Sequence, residues 1–383
     1  MIDFRLSEKS DLLRKEAREF LEEVMTPELH ERIYRTGVNH DEEYAKALVA
    51  RGLIAPSWPV EQGGGGRDAM EMAAWSEEVG RAAAPSYAMG TTITVASVVR
   101  ACGTEKQKAE LLPRALKAEI IIVLGLTEPE NGSDAAAAAT RAVRTGDGWT
   151  ISGSKMFTTN AHIADYVFLL ARTSPDKPKH QGLTCFIVPM KQPGVEVQGV
   201  RTLSGERTNI TFYNDVFVSD EWRIGEVDGG WAVMSVMFVH EHSASFVGET
   251  YRLLESCKGW ALETGNDSDP DVQLRIGRAE AEAEVATLLQ RRSQWTASVG
   301  GNSHGQGSMS KLFSTERLER QAADLLEMIG PDGVRSYLSE GAPQEGRIEF
   351  MVRNAKGTTI YAGTSQIHRN IVSQHVLGLP RPS

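Results

Sequence analysis

The sequence of 383 residues predicts an α+β fold in which a small sheet domain lies between two helical domains. Two observations carry that prediction. Apolar residues recur at helical spacing towards both ends of the chain, whereas the middle holds short runs of branched and aromatic residues that follow one another directly. These changes of period divide the chain into 1–119, 120–225 and 226–383.

In the first segment Leu12, Leu13, Ala17, Phe20 and Leu21 repeat at helical spacing, and MEMAAWSEEVGRA forms a second helix after a glycine cluster. EKQKAELLPRALKAE reads as a third, with Pro113 set against its continuity. The cluster Gly63–Gly66 lacks both GxGxxG spacing and a P-loop ending. It reads as a flexible turn rather than a phosphate loop. In the second segment WTISGSK, YVFLLART, LTCFIVPM, VEVQGV and ITFYNDVFV are strands separated by polar or Gly/Pro turns. Consecutive strands exclude a doubly wound dinucleotide domain, which alternates strands with helices. The third segment is helical over 229–262, 271–299, 308–329 and 364–377, with GNDSDPD at 265–271 as its clearest break.

A formal net charge of −10 argues against a general nucleic-acid binder. Cys102, Cys185 and Cys257 are far apart and unaccompanied, so neither a disulfide framework nor a thiolate metal site is expected, and a reducing compartment is. The acidic, amphipathic N-terminus is unlike a signal peptide, and IIIVLGL, Ile120 to Leu126, is too short to cross a bilayer. A cytoplasmic protein without membrane insertion is the expectation.

Glu241 is the most informative carboxylate. In a continuous helix Met237 and Phe238 lie one turn before it and Ala244 and Ser245 one turn after, which sets it on a mostly apolar stripe. Desolvation there raises a carboxyl pKa and makes Glu241 a candidate base for a carbon acid. The competing reading is a surface glutamate at the edge of the stripe.

GLTEPENGSDAAA, from Gly125 to Ala137, resembles the first signature of the acyl-CoA dehydrogenase family, G-[LIVM]-[ST]-E-x-x-[GSAN]-G-[ST]-D-x-x-[GSA], at every defined position. ISGSKMFTTN is similar to the family's G-x-K-x-[WFY]-[IT]-T-N segment, and IYAGTSQIHRN with LGLPR resembles its closing Y-E-G-T block. The resemblance spans essentially the whole chain. It implies an N-terminal helical domain, a central β-barrel domain and a C-terminal four-helix domain, with FAD as cofactor and an acyl-CoA thioester as substrate. It also implies electron-transfer flavoprotein as electron partner and a homo- or hetero-tetramer. The cofactor-binding positions it implies are Leu126, Thr127, Gly132, Ser133, Phe157, Thr159, Thr364 and Gln366. A strand-end core aromatic is the other reading of Phe157, and Glu128 and Asp134 read as braces of the loop.

Two departures qualify the resemblance. The usual base, the Glu of Y-E-G-T, is Ala362 here, while Glu241 matches the helix-borne base of the branch resembling long-chain and isovaleryl-CoA dehydrogenases. His242 stands where that branch has Arg, either as part of a binding site or as a packed histidine. The family's Q-x-x-G-G-x-G segment reads Glu327 to Gly333 with Pro331 inside, and its arginine-containing phosphate segment is not visible; Arg275 and Arg278 are either phosphate ligands or solvated charges. The expectation is a dehydrogenase of bulky, branched or steroid-derived acyl-CoA, in the bacterial branch that includes heteromeric steroid side-chain dehydrogenases. The alternative is a catalytically silent partner subunit.

Overall fold

A computed structural model describes residues 7–241, 246–301 and 304–380. Six helices come first: α1 (Glu8–Val24), α2 (Pro27–Thr36), α3 (Glu42–Ala50), α4 (Ala69–Arg81), α5 (Tyr87–Cys102) and α6 (Glu105–Leu116). Eight strands follow: β1 (Ile122–Gly125), β2 (Arg141–Thr145), β3 (Gly148–Lys155), β4 (Tyr166–Arg172), β5 (Leu183–Pro189), β6 (Val195–Arg201), β7 (Arg207–Ser219) and β8 (Arg223–Ile224). The remaining helices are α7 (Gly230–Glu241), α8 (Val247–Thr264), α9 (Pro270–Ser298), α10 (His304–Ile329), α11 (Arg347–Thr358) and α12 (Ser365–His375).

The chain forms two compact units, each made of separate stretches: Met1–Glu31, Arg67–Ala84 and His242–Ser383 in one, Arg32–Gly66 and Pro85–Glu241 in the other. In the first unit, α1 turns Leu13, Ala17, Phe20 and Leu21 inward and leaves Leu12 exposed. Phe20 stacks on Trp75 of α4. Helix α4 then meets α8 at two glycines. A Cβ on Gly248 would come within 2.4 Å of the Glu77 carbonyl, and one on Gly80 within 2.9 Å of the Glu249 carboxylate, so close approach is what both positions are for. Gly248 therefore serves helix packing.

Helices α8 to α11 share one core. Leu253, Cys257 and Trp260 meet Val272, Ala279 and Ala283 of α9, Leu318, Ala322 and Leu325 of α10, and Ile348, Met351 and Ala355 of α11. Alanines at the centre let the helices approach while the large residues fill the ends, each fully buried one contributing about 1.5–3 kcal/mol. The 3.6-residue period over Ile348, Met351 and Ala355 marks α11, which the sequence reading passed over.

In the second unit the strands run in the order β6-β7-β3-β2-β4-β5-β8, with β1 pairing parallel to β4. β4 is buried from Val167 to Ala171, which is why it reads as an unbroken apolar run. β2 and β8 were not expected: RAVRT is mostly exposed and β8 is two residues long. Helix α5 packs against α6, α7 and β1, and its Thr92 hydroxyl accepts the Ile122 N–H at 3.0 Å where β1 begins. Pro113 does not interrupt α6; it lies in the last turn, where few backbone bonds depend on it. Gly64 approaches Trp58 so closely that a Cβ would lie 2.3 Å from its carbonyl, consistent with a tight turn at the glycine cluster. The helix expected over 229–262 is two helices, because Phe246 leaves helical geometry at φ −116° and ψ 20°.

Candidate active site

The loop after β1 is pinned from several sides. Gly125 ends the strand under β4, where a Cβ would meet Val167 at 2.7 Å. Glu128 then turns inward: its carboxylate accepts the N–H groups of Ala139 (2.7 Å) and Thr140 (2.9 Å) and an Nζ–H of Lys155 at 2.8 Å. Lys155 is fully buried and also donates to the Leu126 carbonyl at 3.2 Å. Burial alone would raise the Glu128 pKa, but the Lys155 charge and these hydrogen bonds reverse that and bring it down to about 2. Burial pulls Lys155 down from its usual value, and the carboxylate opposes that pull. Across the loop, Asn131 donates to the Ala137 carbonyl at 2.8 Å and Asp134 pairs with Lys179 at 2.7 Å. Glu128 and Asp134 are thus braces, as their sequence context suggested.

This bracing leaves the other loop residues free to face outward. Leu126 and Thr127 are half-buried, and Gly132 and Ser133 are exposed; a Cβ on Gly132 would meet nothing within 4 Å. The Thr127 carbonyl accepts the Met156 N–H at 2.8 Å and so ties the loop to the end of β3. Immediately beyond, Phe157 sits at φ +60° with 60 % of its surface exposed. A core aromatic would be buried and relaxed. This ring is instead presented to solvent on strained backbone. Thr159 follows, half-buried, its hydroxyl 3.2 Å from that of Thr208. Leu126, Thr127, Gly132, Ser133, Phe157 and Thr159 all belong to the second compact unit.

Thr364 and Gln366 belong to the first unit, at the start of α12. The Thr364 hydroxyl accepts the Ile367 N–H at 3.2 Å as a helix cap, and Gln366 is exposed in the first turn. The residues before them are held through their carbonyls: His368 Nε2 lies 2.9 Å from the Ala362 oxygen, and Lys311 Nζ donates to the Gly363 oxygen at 2.6 Å. Ala362 and Gly363 both have positive φ, +53° and +86°.

Helix α7 ends at Glu241, whose side chain lies outside the described residues, as do residues 242–245 with His242, Ala244 and Ser245. Of the expected apolar stripe, Met237 is buried and Phe238 half-buried. Arg275 is occupied by Asp271 at 2.9 Å and Asp324 at 2.8 Å, which favours the reading of a helix charge over a phosphate ligand. Glu327 is exposed near the end of α10, and Pro331 opens a short 3-10 turn.

Models of the acyl-CoA dehydrogenase N-terminal, middle and C-terminal domains match residues 7–119, 123–216 and 228–377. The chain belongs to the acyl-CoA dehydrogenase family. It is 34% identical to acyl-CoA dehydrogenase FadE26 of Mycobacterium tuberculosis, with 96% of each chain covered. Among solved structures it is similar to the Tcur3481-Tcur3483 steroid ACAD, at 32% identity and TM-score 0.92 with both chains fully covered. The ChsE4-ChsE5 complex from Mycobacterium tuberculosis is similar at 32% identity and TM-score 0.89, again with both chains covered in full. These relatives set it in the actinobacterial, steroid-associated branch of a family of oxidoreductases that act on CH–CH donors. The cofactor of the family is FAD. The residues present fit it: an exposed aromatic ring, the Thr127 and Ser133 hydroxyls, and the uncrowded backbone at Gly132 suit a flat ring with hydrogen-bonding edges and phosphates. Among the described residues no helix is long and apolar enough to cross a membrane, and no cluster of His, Cys, Asp or Glu could hold a metal ion.

Sequence reasoning missed the groups that hold these positions. Lys155 lies inside a quoted motif, and its burial on a strand was the available signal. Asn209, which bonds Thr158, and Lys311 stand far along the chain from the residues they fix, whereas His368 lies within the closing block itself. Asn209 had one cue, the polar run Thr208, Asn209 and Thr211 on a strand that should alternate.

Proposed function

We propose that the chain dehydrogenates the Cα–Cβ bond of a bulky, branched or steroid-derived acyl-CoA, with Glu241 as the base that removes the α-proton. The observation that carries this reading is Ala362. The closing motif keeps its fold, held at the Ala362 and Gly363 carbonyls, yet its base position bears only a methyl group. A carboxylate on another element must then take the proton. Glu241, the last residue of α7, corresponds in sequence to the base of the helix-borne branch.

In this reading Leu126, Thr127, Gly132 and Ser133 hold the isoalloxazine edge and phosphates, Phe157 and Thr159 cover the ring, and Thr364 and Gln366 are cofactor-binding positions of the closing loop. FAD, when bound, supplies the acceptor for the β-hydrogen and its electron pair. Glu241 accepts the α-proton, and the surrounding polar groups stabilise the developing enolate. Electron-transfer flavoprotein then takes the electrons. The assembly is a homo- or hetero-tetramer in this reading, and the similarity to the ChsE4-ChsE5 complex supports a second kind of subunit. Substrate bulk is supported by the similarity to the structure titled a steroid ACAD.

The test is anaerobic titration of the flavin-loaded protein, alone and with its candidate partner subunit, against a panel of acyl-CoAs. A bulky thioester should bleach the flavin, and Glu241→Gln should bind FAD without bleaching. Bleaching at full rate in Glu241→Gln would remove the base assignment. Bound flavin that no thioester bleaches would make the chain a silent subunit.

A further inference from the structure

The strained backbone at Phe157 needs a cause, since an aromatic residue at φ +60° relaxes unless its surroundings forbid it. The cause lies on β7. Its first residues include three buried polar side chains, Thr208, Asn209 and Thr211, on a strand that elsewhere buries apolar ones. All three address the segment just after Phe157. The Asn209 backbone carbonyl accepts the Thr158 N–H at 2.9 Å, and Asn209 Nδ2 donates to the Thr158 carbonyl at 2.9 Å. One residue therefore holds both backbone polar groups of Thr158. The hydroxyls of Thr159 and Thr208 lie 3.2 Å apart, and those of Thr158 and Thr211 3.5 Å apart.

Asn209 is itself held. Its Oδ1 accepts from Arg207 Nε at 3.3 Å, and its Nδ2 lies 3.5 Å from His162 Nδ1. With one Nδ2 hydrogen on Thr158, the other faces the imidazole, which serves as acceptor only when neutral at Nδ1. Burial, and secondarily the Arg207 charge, lower the His162 pKa and favour that neutral form. Ahead of Phe157, the bond from the Met156 N–H to Thr127 fixes the other flank. The ring itself is 60 % exposed, so the backbone of its flanks is what the structure holds in place.

We propose that Asn209, backed by His162, is the positioning residue that keeps Phe157 in its left-handed backbone and its ring turned outward, and so shapes the flavin face without touching it. The link to flavin rests on the proposed role of Phe157; the clamp itself does not.

A comparison of Phe157→Gly with Phe157→Ala by urea unfolding of the flavin-free chain tests the clamp. Glycine accepts the left-handed region freely and alanine does not, so with Asn209 present the Gly variant should have the larger folding constant, by about tenfold. In an Asn209→Ala background the backbone relaxes, and the advantage should vanish or reverse. Should Asn209→Ala not fold, Asn209→Ser and His162→Ala carry the same comparison, His162→Ala with a partial loss. An undiminished Gly advantage in the folded variants overturns the proposal. In parallel, Asn209→Ala should shift the absorbance and fluorescence of bound FAD. If the Gly advantage disappears while the flavin spectrum stays unchanged, the clamp stands and the assignment of Phe157 to the flavin face fails.

Discussion

Two buried lysines, one in each compact unit, each hold a loop, and the contacts they make differ. Lys155 reaches a carboxylate, Glu128, that also gathers two backbone N–H groups, so a charged pair sits inside the signature loop and ties it to β3. Lys311 reaches a backbone carbonyl at Gly363 and so holds the closing loop by a charge-assisted hydrogen bond. The difference bears on how each loop can vary. In the first, removing either partner leaves a buried charge, so the pair can only be kept or lost together. In the second, the contact goes to the main chain, and the side chain at 362 is free to change. Ala362 stands at the position the family resemblance assigns to the usual base, and the loop around it remains pinned.

The largest effect should come from the first loop. Lys155→Met strands the Glu128 carboxylate and should cost about 3–5 kcal/mol of stability by urea unfolding. Lys311→Met removes the charge-assisted hydrogen bond to the Gly363 carbonyl and should cost about 1–3 kcal/mol. Equal losses would erase the contrast.

Acid sharpens the same comparison. Glu128 titrates near 2 in the folded chain, below its ordinary value of about 4.3. Its contribution is therefore complete above that ordinary value and drains away as pH falls towards 2. Between those limits, stability of the parent chain should fall more steeply with acid than that of Glu128→Gln, and parallel pH profiles would remove the carboxylate from the brace.

The smallest effect belongs to the second loop. Thr364→Ala removes the α12 cap and should cost about 1 kcal/mol. A loss of FAD affinity well beyond that figure, measured by flavin release, would show that the hydroxyl serves the cofactor as well as the helix.

The contrast between the loops also explains what the sequence disclosed. Thr127, Ser133 and Phe157 could be proposed from the sequence because the motif carries them together with the braces the structure shows: Glu128 is adjacent to Thr127, and Lys155 is two residues before Phe157. Lys311 could not be, because a lysine on a helix has no local pattern that announces which distant carbonyl it meets, and His368, though inside the closing block, has no pattern that announces which carbonyl it turns back to. The helix–sheet–helix order followed from period alone. β2 escaped because an exposed strand such as RAVRT has no apolar alternation to betray it. The break at Phe246 escaped because the residue is as apolar as its neighbours, and composition does not report backbone angles. Phe157 shows the same limit: its identity was readable, its left-handed φ was not, and Asn209 became visible only through that angle.

The way the two compact units share the backbone has a consequence for synthesis and for dissection. The chain passes between them four times, after residues 31, 66, 84 and 241. Helices α1 and α4 leave the ribosome early, yet α8, which packs on α4, is made only after the entire sheet. The nascent chain must carry that face of α4 uncovered while the whole sheet is made, which invites chaperone attention. No single truncation can yield the helical unit intact, and an excised 32–241 would carry α4 along, stripped of α1 and α8.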